Sequence, residues 1–285
     1  NDRLIGIKGT RGVGKTTFLL QYAKEKFGTD RSCLFINMNN FYFSGHSIVD
    51  FAYEFQRRGG KVLLIDQVFK HPDWSKELRL CYDRFPNLKI VFTGSSVMRL
   101  KEENLELRDI VKSYNLRGFS FREYLNLQTG MKFRCYSLEE ILSNHEQIAK
   151  GILSKVRPLD YFQDYMHHGF YPFFLEKRNF SENLLKTMNM MVEVDILLIK
   201  QIELKYLSKI KKLLYLLAVD GPKAPNVSQL ANDIQTSRAT VMNYIKYLAD
   251  ARLINMVYPK GEEFPKKPSK IICLLYTSPS PRDCS

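Results

Sequence analysis

LIGIKGTRGVGKTTFLLQYAKEKFG, residues 4–28, decides the fold. Leu4–Lys8 is short and apolar, as a buried strand is, and Phe18, Leu19 and Tyr22 then continue at helical spacing. Between strand and helix, Gly9, Gly14, Lys15 and Thr16 complete a G-x-x-x-x-G-K-T run. Such a loop turns consecutive backbone N–H groups, from Gly9 through Thr10, Arg11, Gly12, Val13 and Gly14, inward around an anion where a Cβ would collide. The helix N-terminus adds unpaired donors and a partial positive charge. Lys15 supplies a point charge for β- and γ-phosphates, Thr16 a hydroxyl ligand for Mg²⁺, and Thr17 a second hydroxyl near the α-phosphate. A nucleotide site is expected here, with ATP and Mg²⁺ as cofactors.

Some fifty residues on, KVLLIDQVFKHPDW begins with an apolar strand, 61–65, closed by Asp66. An acid in that place holds Mg²⁺ through water beside the phosphate loop; a strand-end cap is the plainer alternative. In P-loop ATPases with an additional strand the next residue is usually a glutamate that polarises the attacking water, and here it is Gln67. An amide takes no proton at neutral pH, so general-base help of about 10²–10⁴-fold is at stake. Three readings stay open at Gln67: turnover is lost, another residue serves as base, or the position was altered by sequencing or engineering. A third strand, 88–93 in NLKIVFTGSS, ends in Thr93, Ser95 and Ser96. Thr93 is the preferred sensor of the γ-phosphate, against ordinary Ser/Thr turn chemistry.

The C-terminal third is patterned differently. Of 43 basic side chains and a net charge of +13, residues 200–272 hold 13 basic against 6 acidic side chains, about three times the charge density of the residues before them. A helix at 207–218 ends at Asp220-Gly221-Pro222, and PNVSQLANDIQTSRATVMNYIKYLADARLINMV follows. It reads as a helix over 227–233, a short turn, and a longer helix from Ser237 to Ala251 with Ser237 as N-cap. Val241, Tyr244, Ile245 and Leu248 face inward, and strand-like 253–257 and 270–272 complete a winged-helix pattern. In a module that reads double-stranded DNA, the second helix would lead with Thr236, Arg238, Thr240 and Asn243, while Lys246 and the wing lysines meet phosphate. Packing of the wing on another protein is the alternative.

In combination, GTRGVGKTT, KVLLIDQVFKHPDWSKEL, LKIVFTGSS, GFSFREYLNL, GFYPFFLE and the helix-turn-helix make the chain, from Leu4 to Ile271, resemble a prokaryotic AAA-type (STAND- and origin-recognition-like) P-loop ATPase family. The resemblance implies an α/β fold: a three-layer domain whose phosphate-loop strand lies between inserted strands of a parallel sheet, an all-helical lid, a winged helix and a trailing domain of unknown function. It implies Mg-ATP between the P-loop domain and the lid, Pro172 lining the nucleotide pocket, and assembly into a homo-oligomer or with a protein partner. Three positions depart from the family. Gln67 replaces Glu, Phe69 stands where His is expected, and the acidic-Leu-Ser-Arg-Arg segment thought to carry an arginine finger reads Glu106-Leu107-Arg108-Asp109-Ile110. Arg108 is the candidate substitute. With Gln67, Thr93 and Arg108 as the catalytic set, the expected function is a slow ATPase coupling nucleotide state to the winged helix; the alternative is a nucleotide-gated DNA- or protein-binding module that does not hydrolyse.

The expected domains are 1–118 for the P-loop domain, 119–204 for the lid and 205–272 for the winged helix. In the first lid segment Phe119, Phe121 and Leu125 are expected core anchors, with Arg122 and Glu123 paired on the surface. The stripe Leu184, Leu185, Met188, Met191 and Val192 is expected as lid core. His167 and His168, as neighbours on a helix, should diverge by about 100° and so not chelate jointly. Residues 273–285, CLLYTSPSPRDCS, lose all periodicity and resemble a translated sequencing adapter, and the absent initiating Met suggests a fragment. No apolar run nears the roughly 20 residues of a membrane span. Five cysteines without metal or disulfide spacing fit a cytoplasmic protein.

Overall fold

The computed structural model describes residues 2–100, 102–176 and 179–273. Five strands, β1 (Leu4–Gly9), β2 (Cys33–Asn37), β3 (Val62–Asp66), β4 (Lys89–Ser95) and β5 (Val111–Asn115), form one parallel sheet in the order β2-β3-β4-β1-β5. Parallel strands are covered on both faces, and β3 is accordingly buried at every position. Its side chains alternate between two cores. Leu63 and Ile65 join Ile90, Phe92 and the buried faces of α2 (Ile48–Arg57) and α3 (Trp74–Arg84). Val62 and Leu64 join Ile7, Val91 and Leu19 of α1 (Lys15–Lys26). The additional strand β4 separates β1 from β3, and β1 lies between inserted strands, as the family resemblance implied.

Chain contacts divide the molecule into two compact units, the described residues of 1–117 with 184–276, and those of 118–183. Residues 184–204, grouped with the lid in the sequence reading, thus count with the sheet. In the smaller unit, α4 (Phe121–Thr129) starts at a capping box. Ser120 accepts from the Glu123 amide, and the Glu123 carboxylate accepts from the Ser120 amide at 2.8 Å. Glu123 is therefore first a cap, with Arg122 a weaker charge partner whose guanidinium donates to the Phe133 carbonyl. Tyr124 and Leu125 are buried, while Phe119 and Phe121 are only half-buried. After α5 (Leu138–Leu153), broken at Asn144, and α6 (Leu159–Asp164), residues Tyr165–Gly169 form a π-helical turn. The wider turn and the packing of both rings on Phe180 draw His167 and His168 together, their Nδ1 atoms 3.2 Å apart. The two ring planes nevertheless stay 79° apart.

The chain returns to the larger unit along α7 (Phe180–Met190). Leu184, Met188, Met191 and Val192 are buried as expected, but Leu185 is 58% exposed, because it lies off the stripe that the other four share. A second π-helical turn, Met191–Ile196, leads into α8 (Leu197–Lys200). Then α9 (Leu207–Val219), α10 (Val227–Asp233) and α11 (Arg238–Asp250) precede an antiparallel hairpin, β6 (Ile254–Val257) with β7 (Lys270–Cys273). This is a winged helix: Ser237 caps α11 through the Thr240 amide, and Val241, Tyr244, Ile245 and Leu248 are buried. Apart from Cys273, which closes β7, the adapter-like segment lies outside the described residues. Among the described residues no helix is long and apolar enough to cross a membrane.

Candidate phosphate-binding site

Sheet register sets the site. Asn37 pairs with Asp66, Ile7 with Thr93 and Gly9 with Ser95, so the carboxyl ends of four strands share one edge, where open α/β sheets bind their ligands. The loop 9–14 leaves β1 at that edge. A Cβ on Gly9 would collide with the Leu116 carbonyl, and Gly12 and Gly14 have φ of 83° and 89°, which a side chain would strain. Gly14 is the N-cap of α1, so the free amides of the first turn face the loop.

Side chains from α1, β2 and β4 then converge on Asp66, which is 1% exposed. Its Oδ2 accepts from the Thr16 hydroxyl and the Asn37 amide, both at 2.9 Å, and its Oδ1 accepts from Thr93 Oγ1 at 2.5 Å. Thr93 in turn accepts from the Gln67 backbone N–H at 2.9 Å, and Gln67 is left-handed at φ 56°. Lys15 Nζ donates to the Gly9 and Thr10 carbonyls at 2.8 and 2.7 Å. Burial holds its pKa down at about 8, with Arg11 lowering it further and Asp195 and Asp66 opposing.

The sequence reading missed Asp195. Arg11 Nη2 donates to its Oδ1 at 2.7 Å and Ser95 Oγ to its Oδ2 at 2.9 Å, and the carboxylate is 3% exposed. A signal was present: Met188, Met191, Val192 and Asp195 share one helical stripe, so the acid falls on an apolar face. Also unread were Asn37, on a strand carrying no motif, and Lys70. Burial and the nearby Arg11 lower the Lys70 pKa, while Asp195 opposes them. Three cations thus gather near two carboxylates.

These groups suit a magnesium triphosphate. Among the described residues no cluster of three metal-ligating side chains occurs. None is needed, because Mg²⁺ is held by one or two protein oxygens together with phosphate and water. Thr16 and Asp66 offer those oxygens, the three cations match the anion, and the buried Arg11 Nε has no partner.

The remaining candidates lie elsewhere. Thr10 and Val13 are buried in the loop and Thr17 is exposed on α1. Arg108 is exposed after the 3₁₀ turn Leu105–Leu107 and makes no ion pair among the described residues, while its neighbour Asp109 is held by Arg79 at 2.9 Å. Pro172 opens the 3₁₀ turn Pro172–Glu176 in the smaller unit. On the winged helix Arg238 and Asn243 are exposed. Thr240 is half-buried, its hydroxyl 2.9 Å from the capping Ser237, and Lys246 Nζ sits 4.1 Å over the Phe264 ring. Arg238, Asn243, Met242, Phe264 and Lys267 line a cavity of about 430 Å³ between α11 and the wing.

Comparison with known proteins matches two segments of the chain. Residues 1–125 match the family model of an AAA domain, and residues 159–271 match a domain of unknown function. The uncharacterized protein MJ1637 of Methanocaldococcus jannaschii is 30% identical over 279 residues. That match covers 92% of this chain, which spans 58% of the relative's length. Among solved structures, the Aeropyrum pernix Orc1 protein in complex with DNA aligns at 12% identity, covering 95% of this chain and 83% of that one, with a TM-score of 0.38. AMPPCP-bound DnaA from Aquifex aeolicus aligns at 13% identity over 88% of this chain and 82% of its own, with a TM-score of 0.32.

Proposed function

We propose that this chain, an AAA-type P-loop protein whose C-terminal part is a domain of unknown function, binds Mg-ATP at the β1–α1 loop and couples nucleotide state to its winged helix, with slow hydrolysis. The observation that carries the reading is the Asp66 carboxylate, hydrogen-bonded to Thr16 from the phosphate loop and to Thr93 from β4 beside the half-buried Lys15. Lys15, Arg11 and Lys70 would meet the phosphate charge, and the loop amides would orient the oxygens. Thr16 and Asp66 would hold Mg²⁺, which neutralises the β- and γ-phosphate oxygens when bound. Thr93 and Asn37 fix the carboxylate's orientation, and Thr93 also holds the Gln67 backbone. The Gln67 amide can orient a water but takes no proton, so rapid turnover needs a base from elsewhere.

One observation favours the second reading, a nucleotide-gated module that does not hydrolyse. Gln67 lacks a base and Arg108 stands exposed beside the captured Asp109, so both catalytic aids of the family are altered together. In either case the exposed Arg238 and Asn243 at the start of α11 would read double-stranded DNA, with a partner subunit or protein supplying any arginine finger.

Calorimetric titration with ATP tests the shared premise. Binding is expected with Mg²⁺, and chelation with EDTA or Thr16→Ala should weaken it about tenfold. A wild-type protein that takes up no ATP overturns the reading.

A further inference from the structure

Asp195 answers to nothing in the proposed chemistry, yet it is built into the phosphate loop's surroundings. It belongs to the π-helical turn 191–196, a geometry that recurs at functional sites because the i→i+5 turn costs helix stability. On one side it accepts from Arg11 of the loop and from Ser95 at the end of β4. On the other side the same turn's Glu193 pairs with Lys211 of α9, and Met191, Val192 and Ile196 are buried. Arg11 itself is incompletely satisfied: Nη2 is bonded to Asp195, while its buried Nε has no partner. A part-exposed guanidinium whose buried Nε is idle is an unfinished site for an oxyanion, which can engage Nε and Nη2 together.

We propose that Asp195 is a displaceable counter-anion of the phosphate site. Triphosphate competes with its carboxylate for Arg11, and the displaced turn 191–196 passes the change to α9 and so to the winged helix. This rests on ATP binding at the loop and adds the connection that the proposed coupling requires. A carboxylate beside the cations competes electrostatically with phosphate, so neutralising it strengthens nucleotide binding. The reciprocal effect is that nucleotide loosens the turn.

Hydrogen exchange of residues 188–200 is compared with and without AMPPCP, alongside calorimetric AMPPCP affinity, in wild type, Asp195→Asn and Lys15→Ala. AMPPCP should speed exchange across 191–196 in wild type. Asp195→Asn should show fast exchange without nucleotide and bind AMPPCP about tenfold more tightly. A purely structural ion pair gives the opposite, with Asp195→Asn binding equally or more weakly and wild-type exchange indifferent to nucleotide, and that result overturns the proposal. Should Asp195→Asn fail to fold, the wild-type exchange decides alone. If wild type binds AMPPCP, Lys15→Ala does not, and the turn stays silent, only the counter-anion role falls; if wild type binds none, the nucleotide reading falls with it.

Discussion

The phosphate loop and the leading end of α11 both present cations, but they are built in different ways. At the loop, positions are set by backbone: two glycines with positive φ, a helix N-terminus, and a sheet register that brings Asp66 and Thr93 to one edge. At α11 the candidate contacts are side chains on a rigid helix, and two of the four are already engaged, Thr240 by the cap and Lys246 by Phe264. A site made by backbone is recognisable from a short motif and fails sharply when its one essential charge is removed. A site made by exposed side chains tolerates change and fails gradually.

The largest expected effect follows from that contrast. Lys15→Ala should weaken ATP binding about 100-fold, near 2.7 kcal/mol, in calorimetry; an unchanged affinity breaks the comparison at its stronger end. Next, Gln67→Glu should raise single-turnover phosphate release at least about tenfold by restoring a proton acceptor. Little change would mean that turnover already uses another base. The Lys15 pKa of about 8 sets a third effect. Phosphate favours the ammonium form, so ATP binding takes up a proton near that pH. Affinity should be flat below about pH 7 and fall by at most about tenfold per unit above pH 8. Titrations in buffers of different ionisation enthalpy would reveal the proton uptake.

At the winged helix the numbers shrink. Arg238→Ala should weaken duplex DNA binding about fivefold in gel shift, with the salt slope reduced by about one if the contact is to phosphate. Lys246→Ala should weaken it only about twofold, since that ammonium is held over the Phe264 ring. No salt-dependent shift at all would remove DNA from the comparison and leave a protein-binding wing.

What could be read in advance divides along the same line. Gly9, Gly12, Gly14 and Lys15 are legible because few other residues can adopt that backbone or supply that charge. Asp66 is legible because an acid closing an all-apolar strand has few explanations. The winged-helix elements were legible from periodicity, Ser237 included, because local capping and a buried stripe decide them. Asp195 stood out only as an acid on an apolar stripe, and its partners were not legible because they are 184 and 100 positions away and no local rule links them. Asn37 escaped for a related reason, since its role depends on lying opposite Asp66 in the register. The approach of His167 to His168 was not foreseen, because it depends on both rings packing on Phe180. Long-range pairing and departures from standard helix geometry were the blind spots, and Asp195 joins both.

The larger unit is assembled from two stretches of chain with residues 118–183 between them. During synthesis the ribosome therefore delivers Arg11 long before its counter-charge, and the sheet emerges well ahead of Ile199, which packs on its core. A nascent chain halted before residue 184 holds the complete nucleotide motif yet lacks the acid that neutralises it. Such a truncated product would leave Arg11 without its carboxylate and the sheet core without Ile199.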